Sequence, residues 1–169
     1  MKQRIISFIV SNQPGVLSRV SGLISRRGFN IDSLTVGVTH DISLSRITIV
    51  MTADEQITQQ VMKQLNKLID VKHVKEIYTG KQTLSEVALI KVNSEKNKVE
   101  LMEKIGQLWG RVVDMGDMTT TIEITGRTEY INESIKELEP FGIEEIARTG
   151  MVALERGDDV LKKYNLNNR

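Results

Sequence analysis

The stretch "RIISFIVSNQPGVLSRV", residues 4–20, changes character at its middle and thereby sets the fold of the first half of the chain. Its opening residues are almost all apolar, which is typical of a buried β-strand. From Val16 onward, apolar residues recur at helical spacing. Between the two lies a polar bend that contains Asn12, Pro14 and Gly15. The stretch therefore predicts a strand that turns directly into a helix, with Pro14 near the first helical position.

The same periodicities predict the remaining elements of the first half. The first helix ends at Gly28, since glycine commonly caps helix C-termini. Two alternating segments, residues 30–39 and 46–52, predict a hairpin. A helix over residues 55–69 and a strand over residues 71–79 follow. The predicted order of elements is β-α-β-β-α-β.

A polar segment that contains a glycine, "GKQT" at residues 80–83, predicts a linker. After it, the element order of the first half recurs. The predicted strands cover residues 86–92, 111–115, 119–125 and 143–150, the last able to continue to Leu154, and the predicted helices begin near Val99 and Ile131. The sequence therefore predicts one domain over residues 1–80, a second over residues 81–155 and a flexible tail over residues 156–169.

This order of elements predicts the α+β class, with two ferredoxin-like βαββαβ modules, each an antiparallel sheet with both helices on one face. The opposite face of each sheet is then left over, and each sheet also has open strand edges. Natural proteins cover or charge such faces and edges. We therefore expect the chain to pair with a second copy as a homodimer.

The amino-acid composition argues against several classes of function. The chain of 169 residues has 23 Lys plus Arg against 22 Asp plus Glu, and only 4% of its residues are aromatic. Balanced charge disfavours polyanionic partners, and few aromatic rings leave little surface on which RNA bases could stack. Cysteine is absent, which excludes disulfides and thiolate metal sites. No membrane span or secretory signal is evident, so we expect a cytoplasmic protein without nucleic-acid or membrane partners.

The bend also has the chemistry of an anion site. Gly15 has no Cβ, so a ligand can approach the backbone, while the N–H groups and positive dipole end of the helix attract a carboxylate. Asn12 can cap the helix or contact the polar end of a ligand. In a symmetric dimer, Asn30 of one chain could come towards the bend of the other. The alternative is that "NQPG" is only a turn and a cap, and the residues alone leave both readings open.

An independent enzyme is the first alternative class. His40 and His73 are the two histidines of the chain, and neither is flanked by a nucleophile and an orienting carboxylate. No phosphate-binding or dinucleotide-binding loop is present, and His40 with Asp41 lacks the further ligands that a metal site needs. The sequence therefore predicts no catalytic residue and no metal site on this chain.

Two further sequence patterns bear on whether the chain binds RNA or another protein. An RNA-recognition module shares the predicted element order, but the central strands "RITIVMT" and "TTTIEIT" carry aliphatic residues and threonines where bases would stack. Trp109 lies seven residues after Met102 on one helical face, so both are expected to pack in the core. The first pattern argues against RNA binding, and the second predicts packing rather than a partner surface.

Residues 12–50 closely resemble the N-terminal ACT domain of the small, regulatory subunit of acetolactate synthase, also called acetohydroxyacid synthase. The resemblance rests on the bend "N-x-PGVLSRV", on "RRGFNI-x-SLTV" and on "LSR-x-TI" in the third strand. The ending "ARTGMVAL-x-RG" is similar to the second domain of that family. The similarity therefore covers nearly the entire chain.

This resemblance implies a non-catalytic regulator of branched-chain amino acid synthesis. It implies that the chain activates a catalytic large subunit, which carries thiamine diphosphate, magnesium and FAD, and that this chain itself holds no cofactor. It also implies feedback inhibition by valine bound at the interface of paired ACT domains. The matching effector-binding positions are Asn12, Gly15, Val16, Leu17, Asn30 and Ile31. The alternative is a stand-alone ACT protein that senses an amino acid for another partner.

Overall fold

The chain forms two structural units. The structure, a computed structural model, describes residues 2–26, 29–78 and 80–161. The first unit comprises the chain up to Thr83 together with the segment from Met151 onward, and the second comprises Leu84–Gly150. One β-α-β-β-α-β series underlies each unit, which confirms the predicted pair of α+β modules.

The first unit contains a four-stranded antiparallel sheet. Its elements are β1 (Lys2–Ser11), α1 (Val16–Ser25), β2 (Ser33–Val38), β3 (Leu44–Ala53), α2 (Glu55–Leu65) and β4 (Val71–Ile77). The strand order is β2-β3-β1-β4, and each neighbouring pair is antiparallel. The two central strands, β1 and β3, are the most apolar in sequence because both of their faces are buried.

The hydrophobic core of this unit lies between the sheet and its two helices. Alternate residues of β1 and β3 face the helices and are buried among residues of α1 and α2. The buried members of this cluster include Phe8, Ile49, Val20, Ile24, Val61 and Leu65. Helical and alternating periodicities therefore converge on one core, as the sequence predicts.

α2 ends at Leu65, earlier than the predicted end at Ile69. Its start is fixed by Asp54, whose carboxylate accepts a hydrogen bond of 2.8 Å from the Ile57 N–H. After Leu65 the backbone tightens into turns, and the N–H of Leu68 bonds the Leu65 carbonyl at 3.0 Å. Leu68 still packs against the core. The apolar spacing therefore continues beyond the helix, which is why it misplaces the helix end.

The second unit repeats the arrangement. Its elements are β5 (Gln82–Asn93), α3 (Lys98–Gln107), β6 (Arg111–Met115), β7 (Thr119–Gly126), α4 (Thr128–Leu138) and β8 (Ile143–Arg148). Its sheet has five strands, of which four run in the order β6-β7-β5-β8 and pair antiparallel. The fifth, β9 (Val152–Glu155), pairs with β5 off that path. A tight hairpin joins β6 to β7, where the Gly116 N–H bonds the Thr119 carbonyl at 2.9 Å, as predicted. The buried cluster includes Ile90, Leu101, Ile122 and Ile131.

The boundaries differ from the sequence prediction in two places. Residues 80–83 predict a linker, but β5 already begins at Gln82, so half of that prediction is wrong. Polarity signals exposure rather than the end of a strand, and threonine is favourable in strands. The strand predicted from residue 143 ends at Arg148, and β9 follows as a separate strand. β9 pairs with β5, while its residues group with the first unit. Gly28 and residues 162–169 of the predicted tail lie outside the described residues.

The sheet face opposite the helices is buried in the first unit. Ser7 of β1 and Thr48 of β3 meet on that face, with their hydroxyl oxygens 2.8 Å apart, and both are buried. Arg46 on the same face donates from Nη2 to the Ala153 carbonyl of β9 at 2.8 Å. The expectation that this face is left over for a second copy is therefore wrong, because the segment that contains β9 returns to it.

α3 ends in a Schellman motif whose left-handed residue is Trp109, with φ 47°. The Gly110 N–H closes the motif on the Ile105 carbonyl at 2.9 Å. A Cβ on Gly110 would lie 3.0 Å from the Ile122 side chain and 3.1 Å from that of Ile105, so glycine there avoids crowding two buried residues. The chain reversal leaves Trp109 89% exposed, and its predicted core position is wrong. Met102 does pack against the core, as predicted.

Candidate effector site at the β1–α1 bend

Asn12 fixes the bend between β1 and α1 to the loop that joins β2 to β3. Its backbone N–H donates to the Ser43 carbonyl at 2.7 Å, and its side-chain Nδ2 donates to the Ile42 carbonyl at 2.8 Å. The helix begins at Val16, with Gly15 as its N-cap. Of the two roles predicted for Asn12, capping is therefore excluded, and its side chain instead ties the two loops together.

Gly15 has a left-handed backbone, with φ 82°, which L side chains rarely adopt. Among the described residues no side chain caps α1, and its first turn contains no acidic residue. α2 differs, because Asp54 caps it and Glu55 lies in its first turn. Neither a cap nor an acidic residue of its own first turn therefore offsets the positive end of the α1 dipole, which leaves its N–H groups available to an anion. Pro14 precedes this N-cap and lies outside the helix, so its predicted helical position is wrong.

Arg19 and Asp70 also border the bend, although neither is among the site residues predicted from the sequence. The Arg19 guanidinium donates to Asp70 Oδ2 from Nε at 2.8 Å and from Nη2 at 2.7 Å. A Cβ on Gly15 would lie 3.1 Å from Arg19 Nη1. The spacing of four residues between Gly15 and Arg19 on one helix face is a local signal for this contact. Asp70 is 51 residues from Arg19, so no local pattern indicates it.

The three apolar residues predicted for the site have different environments. Val16 is only 3% exposed and belongs to the core, so only its backbone can face a ligand. Leu17 is 43% exposed and lies on the surface directly after it. Ile31 is partly buried and packs against the core. Leu17 is therefore the better placed of the three to contact an apolar ligand group within one chain.

Asn30 lies away from the bend in a single chain. Its Nδ2 donates to Asp32 Oδ1 at 2.8 Å, and it precedes β2 rather than entering it. Ser33, the first residue of β2, lies level with Ile5 of β1 in the sheet register. The step along β1 from Ile5 to Asn12 is about 20 Å. One chain therefore brings together Asn12, Gly15 and Leu17 but not Asn30.

Asp41 organises the loop to which Asn12 is bonded. Its Oδ1 accepts hydrogen bonds from the Ser43 hydroxyl at 2.7 Å and from the Ser43 backbone N–H at 2.9 Å. These bonds, the hydroxyl first, hold the pKa of Asp41 below its ordinary value, because they favour the ionised carboxylate. The loop that supports the bend is therefore ordered by its own side chains.

The described residues include no group of three or more His, Asp or Glu side chains that could hold a metal. His40 lies in the loop between β2 and β3, and His73 lies on β4, opposite Ile9 in register. The two histidines thus occupy separate elements. Separately, none of the described helices has the length and apolar character needed to cross a bilayer.

Both units match known protein families. The model described as "AHAS small subunit-like ACT domain" matches residues 6–73, and that described as "Small subunit of acetolactate synthase" matches residues 85–157. A probable acetolactate synthase small subunit of Methanothermobacter thermautotrophicus is 41% identical, over 90% of this chain and 92% of the relative. The acetolactate synthase small subunit of Mycolicibacterium smegmatis is 42% identical over 90% of each chain.

A solved structure agrees with these matches. The crystal structure of the acetolactate synthase small subunit from Thermotoga maritima superposes with a TM-score of 0.89 at 36% identity, covering 94% of this chain and 100% of that one. The fold and the family matches thus define a regulatory protein whose first unit contains an ACT domain. More specifically, the chain belongs to the family of acetolactate synthase small subunits. The resemblance seen in the sequence motifs is confirmed over both units.

Proposed function

We propose that this chain activates the catalytic large subunit of an acetolactate synthase, in the synthesis of valine, isoleucine and leucine, and that it confers inhibition by valine. The observation that carries the proposal is the start of α1, where a left-handed Gly15 lacks both a capping side chain and an acidic neighbour in the first turn. A valine carboxylate can accept hydrogen bonds there at the positive end of the helix dipole. Leu17 is available for the isopropyl group.

A homodimer completes the site in this proposal. β2 is at one end of the strand order, and Val36 and Val38 on it are exposed. Two-fold pairing of β2 with β2 of a second copy extends the sheet and covers both residues. The start of one strand then lies beside the end of the other. Because Asn12 is bonded to the loop after β2, this pairing moves Asn30 and Ile31 of one copy towards the bend of the other.

The reaction itself belongs to the catalytic subunit in this proposal. Thiamine diphosphate, magnesium and FAD are bound there, and this chain contributes no catalytic residue. Valine favours one arrangement of the paired ACT domains, and the catalytic subunit responds to that arrangement. A coupling free energy of about 1 to 3 kcal/mol between the two sites is sufficient for regulation.

Reconstitution with the catalytic large subunit of the same organism tests the proposal. Synthase activity is measured with and without this chain, and then against valine concentration. Gly15→Asp places a carboxylate where the valine carboxylate binds, so we expect activation to persist and inhibition to be lost. Gly15→Asn is the matched control, because Asn has a similar size, tolerates the same left-handed backbone and carries no charge. It is expected to weaken inhibition less.

Identical inhibition curves for the wild type and Gly15→Asp would contradict the valine site. A different result points to the alternative function: valine binds in equilibrium dialysis, but the wild-type chain neither copurifies with the large subunit nor activates it. That outcome favours a stand-alone ACT protein that senses an amino acid for another partner. Copurification together with activation supports the regulatory subunit.

A further inference from the structure

The ion pair of Arg19 and Asp70 is oriented towards the proposed effector site. Both contacts to Asp70 Oδ2 come from the edge of the guanidinium that carries Nε and Nη2, at 2.8 and 2.7 Å. Nη1 is at the other end of the group and lies on the Gly15 side, because a Cβ on Gly15 would be 3.1 Å from it. The Nη1 end of the guanidinium therefore borders Gly15.

Asp70 is itself anchored to the bend. Its carbonyl oxygen accepts a hydrogen bond of 2.9 Å from the N–H of Ser11, the last residue of β1. The backbone of Arg19 is also fixed, since its N–H donates to the Gly15 carbonyl at 3.0 Å. The Asp70 side chain is 14% exposed and the Arg19 side chain is 50% exposed. The Asp70 carboxylate is therefore largely shielded from solvent, while the Arg19 guanidinium remains half exposed to it.

We propose that Arg19 recognises the carboxylate of the effector through Nη1, together with the N–H groups of the first turn of α1, and that Asp70 is the positioning residue for this guanidinium. The inference rests on the proposed function and adds a specificity-determining residue to its site. An arginine offers several donors in a fixed plane and binds carboxylates more strongly than neutral amides. The site therefore selects amino acids with a free carboxylate over their amides.

The same proposal accounts for the difference between the two helices of the first unit. The first turn of α2 is capped by Asp54, whereas α1 begins without an acidic residue and has Arg19 in its first turn. A helix N-terminus with a cation beside it is less stable on its own than one with a carboxylate. Asp70 offsets part of that cost through its ion pair with Arg19. An anion bound at the bend offsets more of it, so the arrangement favours a negatively charged ligand.

Binding of valine and of valinamide measures the contribution of Arg19 directly. Dissociation constants are determined by calorimetry at about pH 6.5, where the α-amino group of both compounds is protonated. We expect the wild type to bind valine at least about tenfold more tightly than valinamide, since charge-assisted hydrogen bonds are lost with the amide. Arg19→Gln is expected to bring this ratio close to one, and Arg19→Lys to give an intermediate ratio.

Lys63→Gln is the matched control, because it makes the same charge change at an exposed position of α2 and should leave the ratio unchanged. Asp70→Ala should lower the ratio, since an unanchored guanidinium spends less time beside Gly15. Thermal unfolding of each variant checks that the fold is kept, and Arg19→Lys serves if Arg19→Gln does not fold.

The outcomes separate this inference from the proposed function. If the wild type binds valine and Arg19→Gln keeps the wild-type ratio, the role of Arg19 is refuted and the valine site stands. If Asp70→Ala raises the ratio, Asp70 competes with the ligand and its positioning role is refuted. If the wild type binds neither compound, the proposed valine site itself fails.

Discussion

Arg46 and Ala153 are joined by a hydrogen bond of 2.8 Å from the guanidinium Nη2 to the carbonyl oxygen, although 107 residues separate them in the chain. Nearby, the Met151 N–H donates to the Ser33 hydroxyl at 3.1 Å, and Lys75 forms an ion pair with Glu155. These contacts attach the segment around β9 to the first sheet on the face that the helices leave open. The segment is therefore part of the fold of the first unit.

Met151→Ala is expected to reduce the free energy of unfolding by about 2 to 5 kcal/mol, because the side chain is buried and its removal leaves a cavity. Leu154→Ala is the control, since Leu154 is 57% exposed and its truncation should change stability by no more than about 0.5 kcal/mol. Urea denaturation of both variants measures the difference. Equal effects would show that β9 does not cover the sheet as described.

The sequence predicts the elements of the first unit well but not this covering segment. Alternation over β1 and β3 and helical spacing over α1 and α2 are repeated often enough to specify each element. β9 has only four residues, so its alternation of buried and exposed residues is too short to show what it packs against. Whether a sheet face is covered depends on where every other segment of the chain packs. Local periodicity describes only the segment in which it occurs, so it cannot show this.

Trp109 occupies the left-handed position of the Schellman motif that ends α3, where glycine is the usual residue. Because L side chains are strained there, Trp109→Gly is expected to raise the free energy of unfolding by about 1 kcal/mol relative to Trp109→Ala. The side chain is 89% exposed, so both variants lose little packing and differ mainly in backbone strain. Thermal or urea denaturation of the two variants gives the comparison. A Gly variant no more stable than the Ala variant would contradict the assigned conformation.

Asp41 provides a pH-dependent test of the loop that supports the bend. The hydrogen bonds from Ser43 lower the folded-state pKa of Asp41 below its ordinary 3.8, so its stabilising contribution is present above that pH. The contribution is lost as the pH falls through the folded-state value. Asp41→Asn is therefore expected to be less stable than the wild type at pH 7, with a difference that shrinks below about pH 4.

Ser43→Ala supplies the control for this pH dependence. It removes the hydroxyl that is the main cause of the lowered pKa of Asp41. In that background, Asp41→Asn should have a smaller effect at pH 7 and a weaker dependence on pH. Denaturant unfolding of all four proteins at several pH values tests this, and a pH dependence that is unchanged by Ser43→Ala would assign the effect to another group.

The candidate site was only partly accessible from the sequence. Gly15 and its proposed role in binding an anion follow from residue types at a strand-to-helix bend. The environments of Val16 and Leu17 do not, because the direction of a side chain depends on how α1 packs against the sheet. Arg19 has a local signal in its spacing from Gly15, whereas Asp70 is brought to the bend by the turn after α2. Contacts between segments that are distant in the chain, such as that of Arg19 with Asp70, cannot be predicted from local sequence patterns.

The proposal that each valine site is formed by two chains can be tested with two variants. One variant lacks the residue that the bend contributes, and the other lacks the residue that the partner chain contributes. Asn12→Ala and Asn30→Ala chains are each expected to bind valine weakly in equilibrium dialysis. If Asn12 and Asn30 of different chains form one site, a heterodimer of the two variants contains one site with both residues intact and one with neither. Random reassociation of an equal mixture should therefore recover about a quarter of the wild-type sites.

A site formed within one chain gives a different result, because every chain in that mixture carries one defect. No wild-type affinity would then return on mixing, and the proposed contribution of Asn30 across the dimer would be wrong. Each variant refolded alone is the control for the procedure, and wild type refolded in the same way gives the number of sites to which the mixture is compared. Recovery of wild-type sites on mixing requires Asn12 and Asn30 to act from different chains. The step of about 20 Å along β1 from the level of Ser33 to Asn12 implies the same, because Asn30 precedes Ser33.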